Sequence, residues 1–200
     1  MADGNMRRWE PGPTRPKHLL TVGGETLLAR LVRQIHSLEP EAEIIITSHD
    51  PRYEVSGAVR YEPQNNRIEL DRFTWELIGD GVCFLYGDTV YSDEAVRTIC
   101  GAQTDTLLFA GSRKSIVALK VGDGERMKAL VEQVRTDYEA GKLAECKGWQ
   151  IFEYHTGLSR DRVEHCPCFL LISDGTRDFN KWEEYRTFQE ESGTEICLNS

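Results

Sequence analysis

Apolar residues recur at helical spacing in three places along the chain and at strand-like density in several others. Leu27, Leu28, Leu31, Ile35 and Leu38 line one face of a first helix, and Met127, Leu130, Val131, Val134 and Tyr138 line a longer one. Trp182, Tyr185 and Phe188 mark one face of a closing helix. Between these, residues 43–47, 58–61, 82–86, 106–110, 115–121 and 169–172 read as short strands rich in β-branched and apolar residues. Residues 69–78 and 93–99 read as further helices. Helical and strand patterns alternate, which predicts a three-layer α/β domain.

The length of 200 residues suits one domain spanning 1–200, with a loosely tethered tail from about Ser192. The hydrophobic fraction of 40% is ordinary for a chain of this kind. No apolar run approaches the roughly 18 residues of a membrane span, and no secretory leader is read at the start. A cytoplasmic protein without membrane or nucleic-acid partners is expected, because the net charge of −9 lacks the basic face that nucleic acid requires. Arg7, Arg8, Arg15 and Lys17 form a basic island in this acidic chain, a natural partner for a small anion. The six cysteines include the close pair Cys166-Pro167-Cys168, but no second paired element completes a zinc pattern, so reduced thiols are expected.

Two elements carry the candidate chemistry. One is the loop from Gly4 to Lys17; the other is the apolar strand Val82-Cys83-Phe84-Leu85-Tyr86, which ends in Gly87-Asp88. A basic loop that cradles phosphates and a strand-end carboxylate that holds Mg²⁺ suit displacement at a nucleoside triphosphate phosphorus. A Walker A motif and a Gly-x-Gly-x-x-Gly fingerprint are both absent from the sequence. The five histidines form no constellation.

Read in order, Ala2-Asp3-Gly4-Asn5-Met6-Arg7-Arg8, Pro16-Lys17, Val22-Gly23-Gly24-Glu25-Thr26-Leu27-Leu28, Gly87-Asp88 and the segment from Asp178 to Tyr185 follow a known arrangement. The chain resembles the nucleotidyltransferases of the glycosyltransferase-A-like fold, the MobA-like NTP transferases. Phe84-Leu85-Tyr86-Gly87-Asp88, Gly148-Trp149 and the segment from Ile172 to Asp178 make it most similar to small cytidylyltransferases of surface-polysaccharide and phosphonate pathways. The resemblance implies a three-layer α/β/α Rossmann-like nucleotidyltransferase fold with a mixed, mostly parallel sheet. The strand that should precede Ala2 is expected to be truncated.

It also implies an activity: transfer of a nucleoside monophosphate, CMP foremost, from a triphosphate to a phosphorylated or phosphonate acceptor, with release of pyrophosphate. Mg²⁺ is the implied cofactor, with Asp88 as its first ligand and Asp178 and Asn180 sharing the role of second. Lys17 and Arg8 are the implied catalytic cations. Ala2, Asp3, Gly4, Gln64 and Asn65 are implied in nucleotide binding, and Trp149 and Lys120 in acceptor binding, with Arg113, Gly148 and Tyr154 as further candidates. Relatives that pair make a homodimer an expectation. Met6 stands where the family has glycine, and Asn180 where it often has aspartate. These departures keep a non-catalytic nucleotide-binding domain open as an alternative. A glycosyltransferase is a weaker one, because Asp88 is followed by Thr89 and Val90 rather than by a second metal-binding aspartate.

Overall fold

In a computed structural model that describes residues 16–191, the strands alternate between two apolar faces, and the helices divide between those faces accordingly. The central sheet has four strands in the order β5-β8-β7-β9. They are β5 (Cys83–Leu85), β8 (Ile116–Val121), β7 (Leu107–Gly111) and β9 (Phe169–Leu171). β8 runs antiparallel to both β5 and β7, while β9 is parallel to β7. Three of these strands therefore point the same way and β8 alone opposes them, a mixed sheet of the expected kind. A separate parallel pair joins β3 (Ile45–Thr47) to β4 (Val59–Tyr61).

Phe84, Phe109, Leu107, Leu119 and Val121 face α3 (Gly124–Glu139) and α4 (Gly148–Thr156), packing with Met127, Leu130, Val134, Ile151 and Phe152. Their strand neighbours Leu85, Ala110 and Ala118 face the other way, toward α1 (Leu27–Leu38) and α2 (Asp93–Gly101), where Leu31, Ile35, Val96 and Ile99 meet them. This two-residue period is the pleat of a sheet covered on both faces. Each large side chain so buried stabilises the fold by about 1.5–3 kcal/mol. Phe109, Phe152, Trp149 and Phe169 interlock on the α3/α4 side, with Trp149 and Phe169 stacked at 6.0 Å and 5°.

Two differences from the sequence reading stand out. The segment 69–78 is not one helix but two 3-10 turns, Glu69–Phe73 and Trp75–Leu77. Asp71 Oδ2 accepts from the Arg67 and Ile68 N–H groups at 2.7 and 3.0 Å, and Thr74 takes a φ of 20°, which interrupts helical propagation. Conversely, α4 was not expected. Its residues 148–152 are buried in succession, so no helical stripe shows in the pattern.

Short elements complete the chain. β1 (Thr21–Val22) and β2 (Glu25–Thr26) form a small hairpin before α1. β6 (Thr89–Val90) pairs antiparallel with β10 (Arg177–Asp178), and α5 (Trp182–Glu191) follows. Among the described residues, no helix is long and apolar enough to cross a membrane.

Candidate active site

The carboxyl ends of β5 and β7 and the amino end of β8 open on a cleft of about 460 Å³. Such strand ends are where open α/β sheets receive ligands. Lys17, Asp88, Thr89, Asp178 and Asn180 line it together with Lys114, Lys147, Gly148, Trp149 and Arg160.

Asp88 is placed by the turn that closes β5. Tyr91 is 1% exposed and its hydroxyl holds this turn, donating to Val117 O at 2.6 Å and accepting from Tyr86 N–H at 3.0 Å. Gln34 on α1 donates to Tyr91 O at 3.1 Å and to Asp93 Oδ1 at 2.7 Å. A short loop anchored at both ends thus carries the carboxylate.

Lys17 begins the 3-10 turn Lys17–Leu19 and forms an ion pair with Asp88, each side chain 14% exposed. Burial alone would push the Asp88 carboxyl up. The field and hydrogen bond of Lys17, together with the nearby His18 and Arg72, outweigh it, so the carboxyl is held below its usual range and is ionised at neutral pH. Behind Lys17, His18 is 2% exposed, and its Nδ1 lies 3.1 Å from Tyr53 Oη. Burial lowers this imidazole to about 4, so it is neutral at physiological pH. No sequence signal distinguished His18; its role emerges only from the packing.

Asp178 reaches the cleft through strand pairing, since β10 sets it opposite Thr89, the residue after Asp88. Its Oδ2 accepts from Ser115 Oγ at 3.1 Å and from Asn180 Nδ2 at 2.9 Å. Asn180 is not the side-chain cap of α5. Glu184 takes that part, accepting from the Asn180 and Lys181 N–H groups at 2.7 and 3.0 Å. Thr89 Oγ1 is buried beside these groups and meets no hydrogen-bond partner of good geometry among the described residues.

Two carboxylates, an amide and a buried hydroxyl make a hard oxygen donor set. That set fits Mg²⁺, which takes one or two protein carboxylates and fills its other positions with water and phosphate oxygens. Among the described residues, no group of three or more histidine, cysteine or acidic side chains forms a fuller metal site.

The rest of the lining comes from separate elements. Gly148 opens α4 where a Cβ would lie 3.0 Å from Tyr86 Oη, so glycine permits the close approach of helix and strand end. Trp149 borders the cleft but is 9% exposed and stacked on Phe169, so it is principally a core residue. Lys114 follows β7 and Arg160 begins the 3-10 turn Arg160–His165; neither forms an ion pair among the described residues. Lys147 pairs with Glu145 at 2.7 Å, and Arg72 approaches Glu69 at 4.0 Å. Lys114, Ser115, Arg72 and Arg160 were not singled out from the sequence, because isolated loop cations carry no pattern.

Several expected residues fall elsewhere. Lys120 does not face the cleft: its ammonium donates to Cys100 O and Ala102 O, each at 2.6 Å, and so closes the carboxyl end of α2. It sits four residues along β8 from Ile116, roughly 13 Å away. Gln64 and Asn65 are exposed and do not line the cleft; Asn65 borders a small recess with Asp71 and Arg135. Arg113 turns to Glu164 at 2.5 Å, and Tyr154 donates to Asp137 Oδ2 at 2.8 Å. Ala2, Asp3, Gly4 and Arg8 lie outside the described residues, as do Met6 and the tail from Ser192.

No family model and no curated protein matches the chain in sequence. Among solved structures, it is similar to the CTP:phosphocholine cytidylyltransferase LicC of Streptococcus pneumoniae, with a TM-score of 0.58 and 12% identity over 95% of this chain and 96% of that one. It is also similar to Rv0371c of Mycobacterium tuberculosis H37Rv, with a TM-score of 0.57 and 17% identity over 94% of each chain. At these identities the likeness is one of fold: the chain shares the α/β architecture of these two proteins along almost its whole length.

Proposed function

We propose that this chain is a Mg²⁺-dependent nucleotidyltransferase, probed first with CTP, that joins a nucleoside monophosphate to a phosphorylated or phosphonate acceptor and releases pyrophosphate. The observation that carries the reading is the meeting of Lys17, Asp88 and Asp178 in one cleft at the strand ends. A fold shared with a cytidylyltransferase supports it.

Mg²⁺, when held by Asp88 and Asp178 with Asn180, would neutralise phosphate charge and polarise the reacting phosphoryl group. The protein's own part is positioning and charge. Lys17 stands beside Asp88, where its ammonium can meet the α-phosphoryl oxygens as pyrophosphate departs. Ser115 fixes the orientation of Asp178. Lys114 and Arg160 also line the cleft, where they can receive the anionic acceptor and align its oxygen for in-line attack. The chemistry needs no covalent intermediate on the protein. The same reading takes the protein to be cytoplasmic and to act on small molecules rather than nucleic acid, with homodimerisation a further part of the proposal.

The test is pyrophosphate release with CTP, GTP, UTP and ATP in turn, with Mg²⁺ and a panel of phosphorylated and phosphonate acceptors, and with Asp88→Ala as control. Turnover with one nucleotide that disappears in the variant supports the reading. A folded protein that binds a triphosphate without turning it over, indifferent to Lys17→Ala, would instead favour a non-catalytic nucleotide-binding domain. The self-satisfied Lys17–Asp88 pair joins Met6 and Asn180 in favouring this second reading.

A further inference from the structure

Cys166-Pro167-Cys168 lies where the 3-10 turn Arg160–His165 hands the chain to β9. Three backbone hydrogen bonds fix the segment. Cys166 N–H donates to Val163 O at 3.1 Å, Phe169 N–H to Cys166 O at 3.1 Å, and Phe109 N–H to Cys168 O at 2.9 Å. Pro167 adds its own restriction of φ. The two side chains are thereby directed at one another, with their sulfur atoms 2.6 Å apart. Cys166 is 7% exposed within the main core, Cys168 is half-buried against it, and Pro167 stands in solvent. When one of two thiols held in contact by an ordered turn carries a mixed disulfide, the other attacks it at high effective concentration.

The pair is also joined to the cleft on both sides. The 3-10 turn that ends at Cys166 begins with Arg160, which lines the cleft. The residue after Cys168 is Phe169, whose ring stacks on Trp149 at the cleft's border. A disulfide imposes its own Cβ separation and torsion on the residues it joins. Closing one across three residues therefore resets the turn against β9.

We propose that Cys166 and Cys168 form a reversible dithiol–disulfide pair, oxidised by a small-molecule disulfide, that is coupled through Phe169 and Arg160 to the lining of the cleft. The thiolate of Cys168, the more accessible of the two, attacks one sulfur of the small disulfide and displaces one thiolate, leaving a mixed disulfide on Cys168. Cys166 gives its proton to solvent and attacks the Cys168 sulfur, which closes the ring and expels the second thiolate. The pair loses two electrons and two protons, and the small disulfide becomes two thiols. Excess dithiol reverses both steps. Burial, reinforced by the contact with Cys166, raises the Cys168 thiol, which slows the first attack at neutral pH and quickens it as pH rises. The coupling concerns the cleft whatever its substrate; its effect on turnover rests on the function proposed above.

The experiment treats the full chain with oxidised glutathione, alkylates remaining thiols and digests with trypsin. Peptide 163–177 carries both cysteines and no other. It is expected unalkylated and about 2 Da lighter than the reduced peptide, with restoration by dithiothreitol. Cys166→Ser is expected to leave a glutathione adduct on Cys168 that never cyclises. A doubly alkylated wild-type peptide, or a persistent glutathione adduct on it, overturns the pair. Coupling is read without any substrate: oxidation shifts the tryptophan emission, and the shift vanishes in Trp149→Phe and in Cys166→Ala/Cys168→Ala. An unchanged emission on full oxidation overturns the coupling. Absence of triphosphate turnover in both redox forms counts against the proposed function alone.

Discussion

The ammonium of Lys17 and the carboxylate of Asp88 form an ion pair that is almost withdrawn from solvent, each side chain 14% exposed. They come from segments about 70 residues apart, one a 3-10 turn and the other a strand end. Removing either partner leaves the other charge unpaired in a poorly solvated place, at a cost of about 3–5 kcal/mol. Lys17→Met and Asp88→Asn are each expected to lower the unfolding free energy in urea by that order, and the double variant to recover much of it. On activity the same substitutions should differ from their effect on stability. Each is expected to lower kcat/KM for the triphosphate about 10²–10³-fold, and the double variant should recover none of it. Recovery of turnover in the double variant would show that the pair serves stability alone.

His18 gives a pH signature. Its folded value of about 4 lies below the ordinary 6.5, so between these values the unfolded chain binds a proton that the folded one refuses. Stability therefore falls as pH drops from about 6.5 toward 4, by as much as about 3 kcal/mol. The depressed Asp88 carboxyl acts lower on the scale: it stabilises above its ordinary 3.8 and loses that contribution only as pH falls further. Urea unfolding at a series of pH values should show the slope between 6.5 and 4 in the wild type and a much flatter one in His18→Phe. Loss of the hydrogen bond to Tyr53 lowers the whole curve for that variant, but the change of slope is independent of that offset.

The division of the fold between legible and hidden parts follows the range of the interactions. Leu27, Leu28, Leu31 and Ile35 announce α1 because an amphipathic helix repeats within its own sequence, and all four are buried where that stripe predicts. The strand that delivers Asp88 was readable because β5 is apolar and is followed by Gly87. Asp178 is different. Its place beside Asp88 depends on a two-residue strand paired across almost 90 residues of chain, too short to show any period. Lys120 misled because its charge suggested a ligand, whereas the free carbonyls at the end of α2 required a donor there. Lys114 and Arg160 could not be read at all, since only the folded chain brings their loops to one cleft.

Asp71 tests how the cleft's floor is held. Its side chain is 1% exposed and accepts from two backbone N–H groups, and Arg135 on α3 pairs with it at 2.5 Å. Burial would raise this carboxyl, but the hydrogen bonds from Arg135 and the backbone outweigh it and hold it low. The 3-10 turn it stabilises brings Glu69 and Arg72 into the cleft. Asp71→Ala is expected to destabilise by about 3–5 kcal/mol, because it strands Arg135 and two N–H groups. Thermal or urea unfolding measures this. A change below about 1 kcal/mol would mean that water replaces the carboxylate without loss.

Lys114 and Arg160 separate binding from chemistry. Both are exposed cations lining the cleft, and neither is tied into an ion pair among the described residues, so their truncation should leave the fold intact. If they receive the acceptor's anion, each change to alanine should raise the acceptor KM about tenfold while kcat and the triphosphate KM stay near wild type, the pattern of lost uniform binding. The two should add nearly independently, because they stand on different elements, after β7 and at the start of the Arg160–His165 turn. Rising salt should narrow the gap between wild type and variants, since these charges face solvent. Should the loss fall on the triphosphate KM instead, these two cations would serve the nucleotide rather than the acceptor.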